Sequence, residues 1–371
     1  MTSLVLTHNT SRYLLMHYRE LLQELVRRGY RVTVVAPDDG SVPALEALGV
    51  VCQCFDMSRR GMNPVAELCT VRRLWSYFRR AAPDAVINFS IKPVIYGAIA
   101  ARLARVPRVL SMVTGLGYVF TGGSWSRRVL RTFVSGIYRA AFRLNDCVFF
   151  QNPEDRDYLA GRTGLDARKT VVLDGTGVDL EYYTPHGAPA PATFLFAGRL
   201  LADKGLREFV AAARRLKTRH PESHFLVAGP QDDNPAAIPA VEIEEWVRRG
   251  DIEYLGEIAD LRPYYARATA LVLPSYREGM PRVVLEAMAM GRPVVATDVP
   301  GCRHAVSSGV SGLLVRPRDS AALAQAMEQL LLEPELAARM GRNARAQAVE
   351  RFDIRKVNAV VLDTIRSLFP E

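Results

Sequence analysis

The stretch Gly198-Arg-Leu-Leu-Ala-Asp-Lys-Gly205 concentrates two cations within one flexible loop. A glycine at its head lets the backbone turn and a ligand approach closely. Arg199 offers a planar fork of donors, and Lys204 a point charge. A helix opening near Gly205 adds free N–H groups and a positive end. Two cations and a helix start are what a diphosphate needs. A surface turn with ordinary charges fits the same residues.

The second stretch is Glu278-Gly-Met-Pro-Arg-Val-Val-Leu-Glu286. Pro281 suits the first turn of a helix, so Glu278 falls in the preceding loop and Glu286 about a turn inside. A carboxylate accepts two hydroxyls of a diol well. The pair could hold a ribose and a second sugar at opposite ends of a diphosphate. A capping glutamate plus an exposed helix glutamate is the alternative. Other sets carry less. Asp155-Arg-Asp157 has the form of a metal-binding pair but stands where acidic residues serve a helix start. Cys52-x-Cys54 has no second Cys or His pair to complete a metal site. Gly115-Leu-Gly117 and Gly175-Thr-Gly177 lack the third glycine of a dinucleotide loop, which argues against a redox nucleotide. No cofactor and no metal are expected.

These residues need elements to hold them. Short apolar runs at Ser3–Leu6, Val32–Ala36, Val50–Cys54, Ala85–Phe89, Val109–Met112 and Cys147–Phe150 read as strands. Helices are expected at Leu14–Arg28, Pro64–Ala81, Val94–Leu103 and Arg127–Leu144. Buried strands alternating with helices imply a parallel sheet covered on both faces. A linker rich in Pro, Ala and Gly follows Tyr183. The pattern then restarts, with strands at Phe194–Ala197, Phe225–Ala228, Ile252–Leu255, Ala270–Leu273, Val294–Ala296 and Leu313–Val315. The fold class is α/β, with two doubly wound Rossmann-like domains, 1–183 and 184–353, facing across a cleft. A helix at 354–369 is expected to cross back to the first. Ligands bind such sheets at the carboxyl ends of the strands.

Composition narrows the class. The chain has 371 residues, 49% apolar and 23% charged, which suits a globular protein with a sizeable core. No uninterrupted apolar run reaches about 18 residues, so no transmembrane helix is expected. Leu4-Val5-Leu6 is too short for a signal peptide core. A cytosolic chain with five reduced cysteines follows. Residues 1–152 hold 20 Lys and Arg against 9 Asp and Glu, so the net charge of +9 belongs wholly to the first half. Such a surplus points to a polyanionic or membrane-surface partner, with a plain solvated surface as the alternative. Zinc-finger spacing, basic heptads and RNP-like aromatic runs are all missing, which argues against nucleic acid. Between Ser124 and Arg143, Arg127, Arg128, Arg131, Arg139 and Arg143 interleave with Trp125, Val129, Leu130, Phe133, Val134, Ile137, Tyr138 and Phe142. Such a helix can lie in a membrane interface, and Arg59, Arg60, Arg72, Arg73 and Lys92 could extend its basic patch. A crossover helix with its apolar face on the sheet is the other reading.

The second half resembles the retaining nucleotide-sugar glycosyltransferases of the GT4 family, with the GT-B fold. The likeness rests on the G-R-x(3)-x-K-G loop and the E-x(7)-E pair, supported by Tyr254-Leu-Gly256 and Pro300-Gly-Cys302. Within the family, Ser90-Ile-Lys-Pro-Val-Ile-Tyr-Gly97, Val113-Thr-Gly-Leu-Gly-Tyr118, Asp233-Asn-Pro235 and Leu273-Pro-Ser-Tyr-Arg-Glu278 are similar to bacterial enzymes that add an N-acetylhexosamine to an undecaprenyl-diphosphate-linked sugar. The resemblance implies that Gly198, Arg199 and Lys204 hold the donor diphosphate and that Glu286 binds the ribose. Glu278 would contact the transferred sugar, with the N–H groups of Gly279 and Met280 beside it and Tyr254 and Gly256 near the base. Catalysis would fall to Glu278, Arg199 and Lys204.

The chain departs from the family in the first half. His8-Asn-Thr-Ser11 replaces the usual glycine pair, so Asn9 and Ser11 would face phosphate. Thr114-Gly115 replaces a His-Gly pair. With Lys92 these residues would face the acceptor, and Trp125, Arg127, Arg128 and Arg131 the membrane. The reading is a retaining, metal-independent transferase. It would move a sugar from a UDP-sugar to a polyprenyl-diphosphate-linked acceptor, working peripherally on the inner face of the plasma membrane. A sugar-nucleotide epimerase or phosphorylase of the same fold, or a basic anion-binding module without enzymatic activity, are the rivals.

Overall fold

A computed structural model of the chain describes residues 1–57, 64–116, 125–187, 190, 192–232, 234 and 236–369, with the backbone alone described at 64 and 125–133. The chain forms two compact units, residues 1–176 with 357–371, and residues 177–356.

The first unit runs β1 (Ser3–Thr7), α1 (Ser11–Arg27), β2 (Arg31–Ala36), α2 (Val42–Glu46), β3 (Val51–Cys54), α3 (Pro64–Ala81), β4 (Ala85–Phe89), α4 (Ile91–Leu103), β5 (Arg108–Val113), α5 (Trp125–Arg143), β6 (Cys147–Phe150), α6 (Pro153–Thr163) and β7 (Thr170–Val172). Its seven strands lie in the order β3-β2-β1-β4-β5-β6-β7, every described pairing parallel. Alternate residues feed opposite faces, as a pleated strand requires. Leu4 and Leu6 join the core on one face, and Val5 the core on the other. Three elements, α2, α6 and β7, extend the pattern read from the sequence.

The second unit runs β8 (Thr193–Ala197), α7 (Leu206–Arg219), β9 (His224–Ala228), α8 (Ala240–Arg248), β10 (Glu253–Gly256), α9 (Arg262–Arg267), β11 (Ala270–Leu273), α10 (Arg282–Ala289), β12 (Val294–Thr297), α11 (Pro300–Ala305), β13 (Gly312–Val315), α12 (Ser320–Leu332) and α13 (Pro334–Arg351). Its six parallel strands are ordered β10-β9-β8-β11-β12-β13. Strand β8 is buried on both faces: Phe194 and Phe196 pack on one side, Leu195 and Ala197 on the other.

The passage between units falls seven residues earlier than the Pro-Ala linker suggests. The backbone explains the shift. Val178 N–H donates to Phe352 at 2.8 Å and Ile354 N–H returns to Val178 at 3.1 Å, a parallel bridge that ties the chain's entry to its exit. The linker after Tyr183 therefore lies inside the second unit. Helix α14 (Ile354–Ser367) then carries Val357, Val361, Leu362 and Ile365 into the core of the first. Arg108 Nε secures its end on the Leu368 carbonyl at 2.8 Å.

Helix α5 corrects the membrane-interface reading over its described half. Tyr138 and Phe142 are fully buried, and Val134 and Ile137 pack against the same core as Val148 and Phe150. Those aromatic and aliphatic side chains cover the sheet, which removes their apolar surface from water. Arg139 is held by the Thr163 carbonyl at 3.0 Å. The side chains of Trp125, Arg127, Arg128 and Arg131, like Arg59, Arg60 and Tyr118, lie outside the described residues.

Ile365 is fully buried in the first unit's core. Ile365→Ala should cost about 2–4 kcal/mol. Hydrogen exchange should quicken in β1 and β4 while β8 and β11 keep their protection. Equal loss of protection in both sets would refute the assignment of α14 to the first unit.

Candidate donor-binding site in the second unit

The loop after β8 is built around close backbone approaches. Gly198 N–H bonds the Ala228 carbonyl at 2.9 Å, and Gly229 N–H bonds the Gly256 carbonyl at 2.8 Å. These contacts knit the carboxyl ends of β8, β9 and β10 together. A Cβ at Gly229, where φ is +150°, would lie 1.8 Å from the Gly198 oxygen, so only glycine fits there. The Tyr254 hydroxyl donates to the Gly229 carbonyl at 3.0 Å, which places Tyr254 on the same edge as Gly256.

Beyond Gly198, Arg199 is more than half exposed, and its guanidinium meets Asp232 at 2.9 Å. Ala202–Lys204 forms one 3-10 turn, ended by Gly205 in the left-handed region at φ +74°. A Cβ on Gly205 would lie 2.1 Å from the Pro274 oxygen. The loop after β8 is thereby pressed onto the loop after β11. Tyr276 N–H donates to the Asp203 carbonyl at 2.8 Å, a second tie between the two.

Across this junction Lys204 Nζ reaches Glu278 Oε1 at 2.5 Å. Ser275 Oγ donates to the same oxygen at 2.6 Å. Glu278 is 8% exposed and Ser275 fully buried. A buried carboxylate needs such partners, because desolvation would otherwise neutralise it. Both of these bonds fall on Oε1. The next residues are equally constrained. Gly301 N–H bonds the Glu278 carbonyl at 3.2 Å, and the approach of Gly279 to Gly301 leaves no room for a Cβ at the latter. Met280 turns its side chain into the core.

Glu286 is 7% exposed, which rules out the alternative of a solvated helix glutamate. Arg282, one turn earlier on α10, donates to Oε1 at 2.9 Å, and the Tyr265 hydroxyl donates to Oε2 at 2.9 Å. Burial, then the charge of Glu286, raises the Tyr265 hydroxyl well above its ordinary value, and the same two causes act on Tyr183. Both phenols therefore stay protonated and act as donors. The structure thus places Gly198, Arg199 and Lys204 on the loop after β8, Glu278 and Gly279 on the loop after β11, Glu286 on α10, and Tyr254 and Gly256 at the carboxyl end of β10. Tyr265, Ser275, Asp232 and Gly229 support them and were not singled out by spacing.

In the first unit, Asn9 and Ser11 follow β1, Lys92 follows β4, and Thr114-Gly115 follows β5, three neighbouring strands. The 8–11 turn is internally tied. Thr10 N–H bonds His8 Nδ1 at 2.9 Å, and the His8 ring stacks on Tyr13 at 4.7 Å. Ser11 Oγ donates to the Pro37 carbonyl at 2.5 Å, so its proton is committed to holding the turn. Lys92 pairs with Glu67 at 2.5 Å. Ser90, before it, adopts φ +70° and ψ 161°, a region that side chains rarely enter and that costs of order 1–3 kcal/mol. Asp155 takes part in a helix cap, its N–H bonded to Asn152 Oδ1 at 2.8 Å, and Asp157 pairs with Arg156 at 2.7 Å. Among the described residues no cluster of three His, Cys, Asp or Glu could hold a metal.

Tyr265→Phe removes one hydrogen bond to a buried charge, worth about 1.5–3 kcal/mol. The melting temperature should fall. An unchanged Tm would deny Glu286 its dependence on this hydroxyl.

Residues 16–175 match the model described as a glycosyl transferase 4-like domain, and residues 191–333 that of glycosyl transferases group 1. The N,N'-diacetylbacillosaminyl-diphospho-undecaprenol alpha-1,3-N-acetylgalactosaminyltransferase of Campylobacter jejuni is 26% identical, over 90% of this chain and 91% of its own. Glycogen synthase of Mycobacterium tuberculosis is 34% identical, over 63% of this chain and 56% of its own. Among solved structures, Alr3699/HepE of Anabaena in complex with UDP superposes with a TM-score of 0.81 at 20% identity, covering 99% of this chain and all of the other. Matched along both halves, and carrying the G-R-x(3)-x-K-G and E-x(7)-E residues on the loops described above, the chain belongs to the GT4-type glycosyltransferases of the GT-B fold.

Proposed function

We propose that this glycosyltransferase moves an N-acetylhexosamine from a UDP-sugar to an undecaprenyl-diphosphate-linked saccharide, with retention of anomeric configuration and without a metal. The observation that carries the reading is the Lys204–Glu278–Ser275 contact beside Arg199, on loops at the carboxyl ends of β8 and β11. The name of the Campylobacter relative and the UDP bound to the Anabaena protein support the choice of donor and acceptor.

In this reading the donor diphosphate lies against Arg199 and Lys204. A diphosphate arriving at Lys204 competes with Glu278 for the ammonium, which frees Glu278 to accept a hydroxyl of the transferred sugar. Glu286, held by Arg282 and Tyr265, receives the ribose diol. As the glycosidic bond breaks, negative charge grows on the leaving diphosphate. Preorganised cations stabilise that charge more in the transition state than in the ground state. The acceptor hydroxyl attacks from the leaving-group face and passes its proton to the departing phosphate oxygen. The first unit receives the acceptor beside Asn9, Lys92, Thr114 and Gly115. Its basic surplus attracts an anionic leaflet, a peripheral association that is electrostatic rather than inserted through the described part of α5. Among the described residues no helix is long and apolar enough to cross a membrane.

Arg199→Ala should lower transfer by about 10²-fold or more with little loss of fold, and Lys204→Ala should lower it as much while also lowering the Tm, because Glu278 loses its buried partner. Near-wild-type turnover in both would remove the diphosphate assignment.

A panel of UDP-, GDP- and ADP-sugars, assayed in EDTA, should give product from UDP-N-acetylhexosamines alone and only with acceptor present. Lipid-linked acceptor in anionic vesicles should outpace a short soluble acceptor, and salt should erode the advantage. Transfer from GDP-mannose with UDP-sugars inert, product without acceptor, or full loss in EDTA would each overturn a part of the reading.

A further inference from the structure

At the opposite edge of the second sheet, before β8, β11 and β12, lies a pocket of about 610 Å³. That volume suits a small organic ligand. Its walls are mainly aliphatic, with Met290, Leu330 and Ala337 among them, and three arginines line it: Arg292, Arg342 and Arg345. Among the described residues no Asp or Glu does.

Arg292 is the informative one. The residue is 7% exposed, yet its Nε is buried without any hydrogen-bond partner. Among the described residues its bonds are long ones from NH2 to the His186 and Gly187 carbonyls, at 3.5 and 3.3 Å. A guanidinium has five donors, so most of this one's capacity is unused. Burial lowers its pKa, with no carboxylate opposing that effect. Arg345 differs: its guanidinium bonds the carbonyls of Tyr183, Ala289 and Leu180, and Asp353 supplies a nearby negative charge. A buried, under-bonded cation at an apolar wall is unfavourable unless something completes it. A group that would complete it is an anion, and the surrounding wall suits a chain attached to that group.

We propose that this pocket binds a single-chain amphiphile whose anionic oxyacid head, a carboxylate or a phosphate, is received by Arg292. The planar fork accepts either head in bidentate fashion. The site is separate from the donor loops, which leave the other edge of the sheet.

Calorimetric titration of the full chain with dodecanoate, dodecyl phosphate, dodecanol and inorganic phosphate tests this. One or both anionic chains should bind with unit stoichiometry, and their ratio identifies the preferred head. Dodecanol and inorganic phosphate should bind more weakly by about tenfold or more, the value of one charge-assisted contact. Arg292→Met should weaken the anionic chains by a similar factor. Ala338→Trp, placed on an exposed lining residue to fill the pocket without disturbing the core, should abolish their binding with the Tm unchanged. No binding of either anionic chain, dodecanol binding equal to dodecanoate, or binding that survives Ala338→Trp would overturn the proposal.

Discussion

Lys204 and Glu278 come from loops that are 74 residues apart in sequence, and their 2.5 Å contact joins the loops after β8 and β11 in the second unit. The contact matters most to Glu278. The carboxylate is nearly buried, and an isolated buried charge would neutralise itself or draw water in. Because the two meet, the loop after β8 and the loop after β11 share one geometry. Gly205 against Pro274 and Tyr276 against Asp203 enforce the same closeness through the backbone. A cation held by a carboxylate is also poised rather than quenched. A diphosphate offers it more negative charge than the carboxylate does, so the pair can open toward a ligand without any larger rearrangement.

The parallel sheet makes this closeness inevitable. Strands β8 and β11 are neighbours, paired from Phe194 with Ala270 onward, so their carboxyl ends deliver adjacent loops. Aliphatic and aromatic burial on both faces fixes the strands. Polar groups therefore collect at the strand ends, where helix starts and open backbone groups can meet them. The same logic in the first unit collects Asn9, Ser90, Lys92 and Thr114 beyond β1, β4 and β5. There the strained Ser90 backbone shows that the sheet's packing overrides local preference.

Most of the strands and the order of the two units were legible, because buried parallel strands leave continuous apolar runs between helical periods. The elements that carry Arg199, Lys204, Glu278 and Glu286 were legible too, since those residues follow strand or proline signals that set their positions. What spacing could not supply was partnership. Ser275 and Tyr265 look like ordinary polar residues until the fold turns them onto a carboxylate. The described half of α5 shows an ambiguity of another kind. Its aromatic-aliphatic stripe is the same for a sheet and for a bilayer, and only the packing of Tyr138 and Phe142 separates the two. The unit boundary was missed because a composition cue at the linker is weaker than the hydrogen-bonded bridge at Val178.

The return of α14 has a consequence for how the chain acquires its structure. The core of the first unit includes Val361 and Ile365, so a nascent chain that has emerged only as far as residue 176 lacks part of its own interior. Residues 177–356 meet no such deficit once they are out of the ribosome. Synthesis runs from the amino end, but completion runs the other way. The unit made second closes first, and the unit made first waits, with one apolar face open, for a segment about 180 residues downstream.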